Sequence, residues 1–487
     1  MPPRQIYLLS PKELSPETIA VAFAKTSRSP ESFREIAAGL SDEQSAEFHE
    51  KWVIGYGHAS VAEHAVLHLA IENVSRLAVE SIESNRLASY TEKSTRYQKW
   101  GREDFCIPPE LEGRPLREEY IQTCQLLLDT YAKSLGPVRE LVEHQFPPRD
   151  NEFSAPGETG EAYDRRIRSQ YADVCRFLLP AASLANLGMT ANARVLENAI
   201  RKMGAHPLAE VRQISEEIKR VAQGEVPTLV KYAEAASYLT EIGEDFKHEG
   251  HKGHQEVNKG DWCTLIDYDP DGETKVLAAA LYRFGDMTHT QALQTARAAS
   301  EPERAKLAAS LLGHLSRHDA PLRELEHTAY TFDLVLDQGA FAEFKRHRMM
   351  TQTPQALTAR LGYALPRRLA EAGLEVPYRS AMQVAAETYE RMADWNPHIA
   401  AYVVPNAFNR RVLFTMNLRE AFAFCQLRAA ANAHFSIRRV ALRVADEIRR
   451  VHPLFAKYIK LPEGESGCIL GNQSWQDIEA QYFAACA

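Results

Sequence analysis

The sequence predicts a helix-rich α/β protein, of the α+β kind, built from two tandem repeats of one plan. Three observations predict this fold class. The length of 487 residues exceeds what one hydrophobic core usually fills. The composition, 45% hydrophobic and 25% charged, is that of a globular protein with a sizeable core. Finally, two stretches of the chain repeat the order strand, helix, loop, helix.

The repeat begins with a Glu-His pair that precedes an apolar strand. Glu63 opens this segment in the first half and Glu326 opens it in the second, 263 positions later. In the second half the apolar residues alternate as in a half-buried strand; they are Tyr330, Phe332, Leu334 and Leu336. A helical stretch then leads to Arg86 or Arg348, which are 262 positions apart. The internal spacing of the repeat is therefore almost constant.

A second pair of matching segments lies downstream. Leu178-Leu179-Pro180 precedes Asn192-Ala193-Arg194 in the first half, and Val403-Val404-Pro405 precedes Asn417-Leu418-Arg419 in the second, with an offset of 225 positions. Each is followed by apolar residues at helical spacing: Val211, Ile214, Ile218 and Val221, then Ile437, Val440, Val444 and Ile448. The order of elements is thus predicted to be the same in both halves.

A polar stretch with three glycines separates the halves and predicts a linker. The predicted limits are 1–245 for the first repeat, 246–260 for the linker and 261–487 for the second repeat. The linker contains His248, His251 and His254, but their spacing is not that of a zinc site and no cysteine supports one. We therefore expect no metal.

Charge and cysteine content limit the functional classes. The formal net charge of −8 argues against a surface for long nucleic acids, although a few arginines suffice for a small anion. The seven cysteines form no CxxC pair and their number is odd, which favours reduced thiols and a cytoplasmic location. The sequence has neither a signal-peptide pattern nor an apolar run of about 18 residues, so no membrane role is expected.

The segment from Ser84 to Tyr97 is predicted to be a loop dense in hydrogen-bonding groups. Such a loop can present an arginine and hydroxyls to a phosphate while a carboxylate binds a sugar or base donor. A solvated surface loop with a capping serine is the alternative.

The basic run Lys345-Arg346-His347-Arg348 follows a predicted strand and a helical segment. Two arginines beside a histidine can bind a diphosphate. Alternatively, a basic helix end complements the helix dipole.

Arg428 continues the apolar face formed by Leu418, Phe422 and Cys425. A buried arginine is costly unless it is paired, so Arg428 should contact either a carboxylate or an anionic ligand. Near the amino terminus, His58 and Ser60 follow Gly57 and could contact a cofactor, or His58 could be an ordinary core histidine.

Together these motifs resemble the flavin-dependent thymidylate synthase family, whose signature combines Arg-His-Arg with later Ser, Asn, Ser and Arg positions. The first half preserves the later part, in Ser84, Asn85, Arg86, Ser89, Thr91, Ser94 and Arg96. The second half preserves the leading triplet, in Arg346, His347, Arg348, Thr351, Thr353, Ala356 and Thr358. Each half thus lacks what the other retains.

The resemblance implies one composite site shared by the halves. It implies that the catalytic residues are Arg428 and Ser94, and that the nucleotide is bound by Glu92, Ser94, Arg96, Arg176 and Arg428. It also implies that the cofactor is bound by His58, Ser60, Arg346, His347, Arg348, Asn192, Arg194 and Asn198. A mirror-image site would combine Ser84, Asn85 and Met203 with Ala356, Thr358 and Ala401, and we expect it to be empty.

The chemistry implied by the family is transfer of a one-carbon unit to C5 of dUMP, giving dTMP. FAD would be the cofactor, and methylenetetrahydrofolate and NADPH the co-substrates. Family members are tetramers, so two chains are expected to form a pseudo-tetramer of four repeats. Thr91 and Glu343 depart from the family pattern, which has Asn and often Gln there. The alternative is a non-catalytic or differently specific flavin- and nucleotide-binding protein.

Overall fold

The computed structural model describes residues 5–148, 159–242, 261–316, 319–461 and 474–484. The predicted linker 246–260 with its three histidines lies outside the described residues, as do Cys468 and Cys486. None of the other five cysteines, all in described parts of the chain, forms a disulfide, which agrees with the prediction of reduced thiols. Along the described ranges, no helix combines the length and apolar character needed to cross a membrane.

The chain folds into two compact units. The first unit comprises Met1–Ser94, Asp104–Glu118 and Ala182–Gln255, and the second comprises Thr95–Glu103, Glu119–Ala181 and Glu256–Ala487. Residues 119–181 of the first predicted repeat therefore pack with the second repeat. The compact units are defined by packing, whereas the predicted repeats are defined by sequence similarity. The units therefore do not test the limits 1–245, 246–260 and 261–487, which remain a prediction.

The structure alternates helices with short strands. In chain order, the helices with both ends described are α1 (Pro16–Lys25), α2 (Phe33–Ala38), α3 (Asp42–Phe48), α4 (Arg76–Ile82), α5 (Leu116–Gln145), α6 (Gly160–Cys175), α7 (Ala193–Gly204), α8 (Ala209–Ala222), α9 (Gly272–Phe284), α10 (His289–Ala298), α11 (Glu301–Leu312), α12 (Gln338–Phe344), α13 (Arg367–Glu371), α14 (Glu375–Trp395), α15 (Pro397–Ala400), α16 (Leu418–Arg428), α17 (Phe435–Val451), α18 (Pro453–Ala456) and α19 (Trp475–Tyr482). The strands are β1 (Val66–Ser75), β2 (Ser89–Glu92), β3 (Leu184–Asn192), β4 (Cys263–Tyr268), β5 (Ala329–Asp337), β6 (Thr351–Pro354) and β7 (Asn409–Asn417). Short 3₁₀ helices include Ala59–His64, Arg176–Leu178 and Arg323–His327.

Two antiparallel sheets confirm the predicted α/β fold and its repetition. The first unit contains the order β1-β3-β2, and the second contains β4-β5-β7-β6. In the first sheet Val66 pairs with Asn192; in the second Ala329 pairs with Asn417. These are the offsets of 263 and 225 positions found in the sequence. The sequence repeat is therefore a structural repeat, to which β4 is added in the second unit.

The predicted apolar patterns correspond to buried faces. The alternating residues of β5 are fully buried; they are Tyr330, Phe332, Leu334 and Leu336. The predicted face of α17 is also fully buried, at Ile437, Val440, Val444 and Ile448. In α8, however, Val221 is 51% exposed, and the fully buried Ala222 takes its place at the end of the buried face. The prediction of a continuous loop after Ser84 was also incomplete, because β2 forms within it and Thr91 pairs with Gly188 of β3.

The helices after β1 and β5 begin at equivalent N-cap residues, but the cap is a serine in the first repeat and an aspartate in the second. Ser75 caps α4, and its hydroxyl donates to Glu210 Oε2 at 2.6 Å. Asp337 caps α12 by accepting from the backbone N–H of Ala340 at 2.8 Å, and it accepts from the Ser436 hydroxyl. In the first repeat the cap carries the hydroxyl and its partner carries the carboxylate, whereas in the second repeat the cap carries the carboxylate and its partner carries the hydroxyl. Each pair satisfies orphan N–H groups at a helix start.

Within the second unit, the two repeats meet at equivalent segments. Pro180 bridges Pro405, its counterpart 225 positions later. Beside this bridge, Ala181 N donates to Val404 O and Asn406 N donates to Leu179 O, both at 2.9 Å. A segment that pairs with its own equivalent is what an approximate twofold axis produces. This bridge lies just after Arg176, so it fixes the position of that candidate residue.

Candidate functional site

A repeated ion pair joins two of the sequence motifs in each unit. In the first unit Arg194 Nη1 donates to Glu63 Oε1. In the second unit Arg419 Nη1 donates to the equivalent Glu326 Oε1 at 3.1 Å. Exposed pairs of this kind contribute about 0–1 kcal/mol, so their main effect is to hold the Glu-His segment against the helix that follows β3 or β7.

The candidate cofactor residues of the first unit lie mostly at its surface. His58 and Ser60 are exposed, so the alternative of a core histidine is wrong. The His58 ring stacks on Trp52, with centroids 6.3 Å apart. Gly57 has a φ of +76°, a conformation that favours glycine and turns the chain here.

The remaining first-unit cofactor candidates surround the start of α7. Asn192 caps this helix by accepting from Val195 N at 2.9 Å. Arg194 and Asn198 are exposed on the helix. These side chains are therefore accessible to a ligand, whereas Asn192 has a structural role as well.

Glu92 and Ser94, two of the nucleotide candidates, lie at the end of β2 in the first unit. Glu92 Oε1 accepts from Arg76 Nη1 at 2.8 Å, and the Glu92 side chain is almost fully buried. Ser94 is half-buried. The Glu92 carboxylate is consequently fixed before any ligand arrives.

The first-unit residues of the predicted mirror-image site form no cluster of arginines. Met203 is fully packed in the core, at the position equivalent to Arg428. Ser84 Oγ accepts instead from Lys202 Nζ at 3.1 Å. Burial lowers the pKa of Lys202.

In the second unit, two arginines from different repeats contact one buried carboxylate. Arg176 Nη2 donates to Glu343 Oε1 at 3.0 Å, and Arg428 Nη1 donates to Glu343 Oε2 at 3.1 Å. Arg428 Nη2 also donates to the Glu343 backbone oxygen at 3.1 Å. The Arg176 side chain is 4% exposed, that of Glu343 is 12% exposed and that of Arg428 is 14% exposed. We call these three residues the triad.

The triad carries two positive charges and one negative charge. Burial alone would raise the pKa of Glu343, but Arg176, Arg428 and Arg96 outweigh burial and hold that pKa below its ordinary value of 4.5. Burial lowers the pKa of Arg428, yet a guanidinium remains protonated in proteins. At neutral pH the net charge of the triad is therefore +1.

His347 holds Arg428 in place through a defined tautomer. Arg428 Nε can only donate, and it lies 2.9 Å from His347 Nε2, which must accept. The proton is therefore on Nδ1, which donates to Glu420 Oε1 at 3.2 Å. Burial, with Arg428 beside the ring, lowers the pKa of His347 and keeps it neutral. Both ring nitrogens are thus occupied.

Arg96 is held by a second buried carboxylate. Its Nε and Nη2 donate to the two oxygens of Asp173 at 2.6 and 2.8 Å, and its Nη1 donates to Asn432 O at 2.7 Å. Burial would lower the pKa of Arg96, but the attraction of Asp173 outweighs burial and raises it. This bidentate geometry fixes the plane of the guanidinium.

His434 supports the same region from the loop between α16 and α17. Its Nδ1 accepts from Ser436 N at 3.2 Å, so its Nε2 carries the proton and donates to Asp173 O at 3.0 Å. Burial, together with the charges of Arg176 and Arg96, lowers the pKa of His434 well below 6.5. His434 is a neutral support for the Asp173 backbone.

One buried donor of the site has no partner in the part of the chain that is described. Arg176 Nε is buried and makes no hydrogen bond there. Within the second unit, a cavity of about 90 Å³ is lined by Arg96, Asp173, Arg438 and Tyr482, among others. Among the described residues, no group of three side chains is arranged to bind a metal ion.

The structure thus brings together Arg96, Arg176 and Arg428, which the sequence assigned to one ligand. Sequence reasoning missed Asp173, Glu420 and His434, which position these arginines. Asp173 could have been suspected, because it precedes Arg176 by three residues and lies on the same helical face. His434 and Glu420 have no comparable signal, since their roles depend on contacts across the fold.

Comparison with known proteins decides the family. The sequence model of the thymidylate synthase complementing protein family matches residues 9–228 and, a second time, residues 264–454. The chain belongs to this family. The double match confirms the resemblance to flavin-dependent thymidylate synthases and the tandem repeat of the family domain.

The relatives found fall into two length classes. A UPF0159 protein of Chlamydia muridarum is 32% identical over 441 residues, covering 86% of this chain and 82% of the relative. A UPF0159 protein of Thermoplasma acidophilum is 29% identical, covering 86% and 89% respectively. The flavin-dependent thymidylate synthase of Clostridium tetani is 27% identical over 221 residues, covering 45% of this chain and 82% of the relative.

A solved structure was also found. It is a crystal structure of the flavin-dependent thymidylate synthase of Helicobacter pylori complexed with FAD and dUMP. The sequence identity is 19% and the TM-score is 0.31, and the match covers 41% of this chain and 99% of the other.

Proposed function

We propose that this protein is a flavin-dependent enzyme that transfers a one-carbon unit to C5 of a uridine nucleotide. The simplest form of the reaction converts dUMP to dTMP, with methylenetetrahydrofolate as donor and NADPH as reductant. One observation carries the proposal: in this member of the family, arginines from both repeats converge in one compact unit. Arg176 and Arg428 contact the same carboxylate, which is how a composite anion site would be arranged.

The nucleotide is proposed to bind at the triad and at Arg96. Arg176 offers its unpartnered Nε, and Arg428 uses three of the five N–H groups of a guanidinium. The remaining N–H groups can stabilise negative charge on the uracil ring when N3 loses its proton. Arg428 is therefore proposed as a catalytic residue together with Ser94, while Glu92 binds the nucleotide.

FAD is proposed to bind near the turn that follows α12. Arg346 is exposed and Arg348 is half-buried there, so both guanidiniums fit a diphosphate. His58, Ser60, Asn192, Arg194 and Asn198 are the proposed cofactor residues of the first unit. Because both nitrogens of His347 are occupied, we assign it to positioning Arg428 rather than to direct contact. When bound, FAD supplies the redox chemistry of the transfer.

Two chains are proposed to assemble as a pseudo-tetramer of four repeats. The bridge between Pro180 and Pro405 supports an approximate twofold relation within the chain. The cavity beside Arg96, at about 90 Å³, is small beside ligand pockets of about 300–1,000 Å³, which supports completion of the site by a second copy. Light scattering should show a dimer, and titration with a uridine nucleotide should show one site per chain. A monomer with two equivalent sites would contradict both expectations.

The alternative is a flavin- and nucleotide-binding protein without this activity. The carboxylates that already pair with Arg96, Arg176 and Arg428 favour it. Purified protein should bind FAD, oxidise NADPH and produce dTMP from dUMP and methylenetetrahydrofolate. Complementation of a thymidine-requiring bacterium tests the same activity in cells. Protein that reduces FAD but leaves dUMP unchanged would favour another substrate, and protein without flavin would favour the alternative.

A further inference from the structure

Helix α19 lies beyond the part of the second repeat that the family model matches. The second match ends at residue 454, whereas α19 runs from Trp475 to Tyr482. The helix packs against α17 within the second unit. The Arg443 guanidinium of α17 lies over the Trp475 ring, 4.9 Å from its centroid, and the Arg439 guanidinium lies over the Phe483 ring at 4.7 Å. Both ends of α19 are therefore held against the second unit.

Tyr482, the last residue of α19, has a ring whose position is fixed by packing. This ring stacks on that of Phe435, with centroids 4.7 Å apart and an interplanar angle of 7°. The Arg368 guanidinium lies over the Tyr482 ring, 5.5 Å from its centroid. The residue is 7% exposed, and burial raises the pKa of its hydroxyl, which is therefore neutral at physiological pH.

The Tyr482 side chain forms part of the wall of the cavity beside Arg96. The cavity measures about 90 Å³, and Asp173 and Arg438 also line it. A water molecule takes about 30 Å³ of the liquid, so the cavity has the space of about three waters. A phosphoryl group is of similar size, whereas a nucleoside is much larger. The cavity can therefore hold the phosphate end of a nucleotide but not its base and sugar.

The charges around this cavity favour an anion. Arg96 and Arg438 keep their positive charges, because a guanidinium stays protonated in proteins, and Asp173 contributes at most one negative charge. The uracil ring is proposed to lie at Arg428. Burial lowers the pKa of Arg428 and the nearby charge of Arg96 adds to this effect, so the two guanidiniums are close in space. A nucleotide with its base at Arg428 can thus direct its phosphate towards Arg96.

We propose that Tyr482 is a specificity-determining residue, which limits the ligand group bound beside Arg96 to one unsubstituted phosphoryl group. A nucleotide whose phosphate carries a further large group meets the Tyr482 ring. The inference rests on the proposed function, which supplies the uridine nucleotide. It goes beyond that function by giving a role in substrate selection to a residue outside both matched family segments.

Calorimetric titration with dUMP and with the phenyl ester of dUMP at its phosphate tests this size limit. We expect the wild-type protein to bind dUMP about tenfold or more tightly than the phenyl ester, because the ester overpacks the cavity. Tyr482→Ala removes a phenol group from the cavity wall and creates space for the phenyl group. Its affinity for the phenyl ester should therefore exceed that of the wild type by about tenfold, while its affinity for dUMP should not rise.

Two further variants serve as controls. Tyr482→Phe keeps the ring and removes only the hydroxyl, so it should exclude the phenyl ester as the wild type does. Tyr282→Ala removes the same side chain at a position that is 57% exposed, and it should also behave as the wild type. A gain in affinity for the phenyl ester in either control, equal to that in Tyr482→Ala, would overturn the assignment to the Tyr482 ring.

The outcomes separate this inference from the proposed function. If the wild type and Tyr482→Ala both bind dUMP and have equal affinities for the phenyl ester, the size limit is overturned and the proposed function stands. If the wild type binds neither ligand, both are overturned. Should Tyr482→Ala fail to fold, Tyr482→Leu keeps an apolar side chain against Phe435 and should show a smaller gain in the same direction. Wild-type protein that binds the phenyl ester as tightly as dUMP would overturn the inference without any variant.

Discussion

At the scale of single residues, the site is governed by the cost of burying charge. Arg176 is 4% exposed and would be strongly destabilising without a partner. Glu343 provides this partner and is shared with Arg428. The same contact that stabilises the fold thus sets the charge that a ligand meets.

We predict that Arg96→Ala, Arg428→Ala and Ser94→Ala each abolish most nucleotide-dependent activity. Losing either arginine leaves a polarised or anionic ligand group unpaired, at a cost of roughly 2–4 kcal/mol in an enclosed site. Steady-state kinetics and nucleotide titration would measure the loss. Arg360→Ala, in an exposed ion pair, is the matched control and should retain activity. Normal nucleotide binding by Arg428→Ala would refute the composite site.

FAD affinity should depend on Arg348 more than on Arg86, its counterpart in the first repeat. Arg348 stands in the intact Arg-His-Arg triplet, so Arg348→Ala should remove a charge-assisted hydrogen bond to the diphosphate, worth about 1.5–3 kcal/mol. The affinity should fall about tenfold or more by flavin fluorescence titration. Equal losses in Arg348→Ala and Arg86→Ala would show that the repeats do not divide the cofactor site in this way.

At the scale of elements, the sequence predicts the helices and strands whose apolar residues recur with a clear period. The alternation in β5 and the helical spacing in α17 are strong, and both elements were predicted correctly. Strands β2 and β6 have only four residues each, too few for a pattern, and they exist because a central strand pairs with them. Similarly, the resemblance located Arg96, Arg176 and Arg428, but Asp173, Glu420 and His434 contact their partners only through the fold.

The exchanged caps of α4 and α12 allow a test at this scale. Glu210→Ser alone removes the acceptor of the Ser75 hydroxyl, which should destabilise the protein by about 1–3 kcal/mol. Adding Ser75→Asp rebuilds the arrangement of Asp337 with Ser436, so the double variant should recover part of this loss. Chemical denaturation of both singles and the double variant gives the coupling free energy. Strictly additive losses would show that the two caps are not interchangeable.

At the scale of the whole molecule, the two compact units do not coincide with the two sequence repeats. Helix α6 belongs to the first repeat, yet it lies in the second unit, where it places Asp173 beside Arg96. No local pattern could predict this, because it depends on packing between segments far apart in sequence. Two family domains in one chain therefore supply different parts of one candidate site.

The stability of the folded molecule should depend on pH through its buried histidine His434. His434 is fully buried and its pKa is lowered well below 6.5, so the folded state keeps it neutral where the unfolded state binds a proton. Stability is therefore complete above about pH 6.5 and is lost as pH falls below it, by about 1.4 kcal/mol per pH unit for one such histidine. The pKa of Glu343 is lowered from 4.5, so the stability that this carboxylate contributes is lost only at pH values below about 4.5. His434→Asn retains a side chain that can cap α17, and it should flatten the slope between about pH 5 and 6.5 in thermal unfolding. His289→Asn, at an exposed histidine, should leave the slope unchanged, and an unchanged slope in His434→Asn would contradict the assignment.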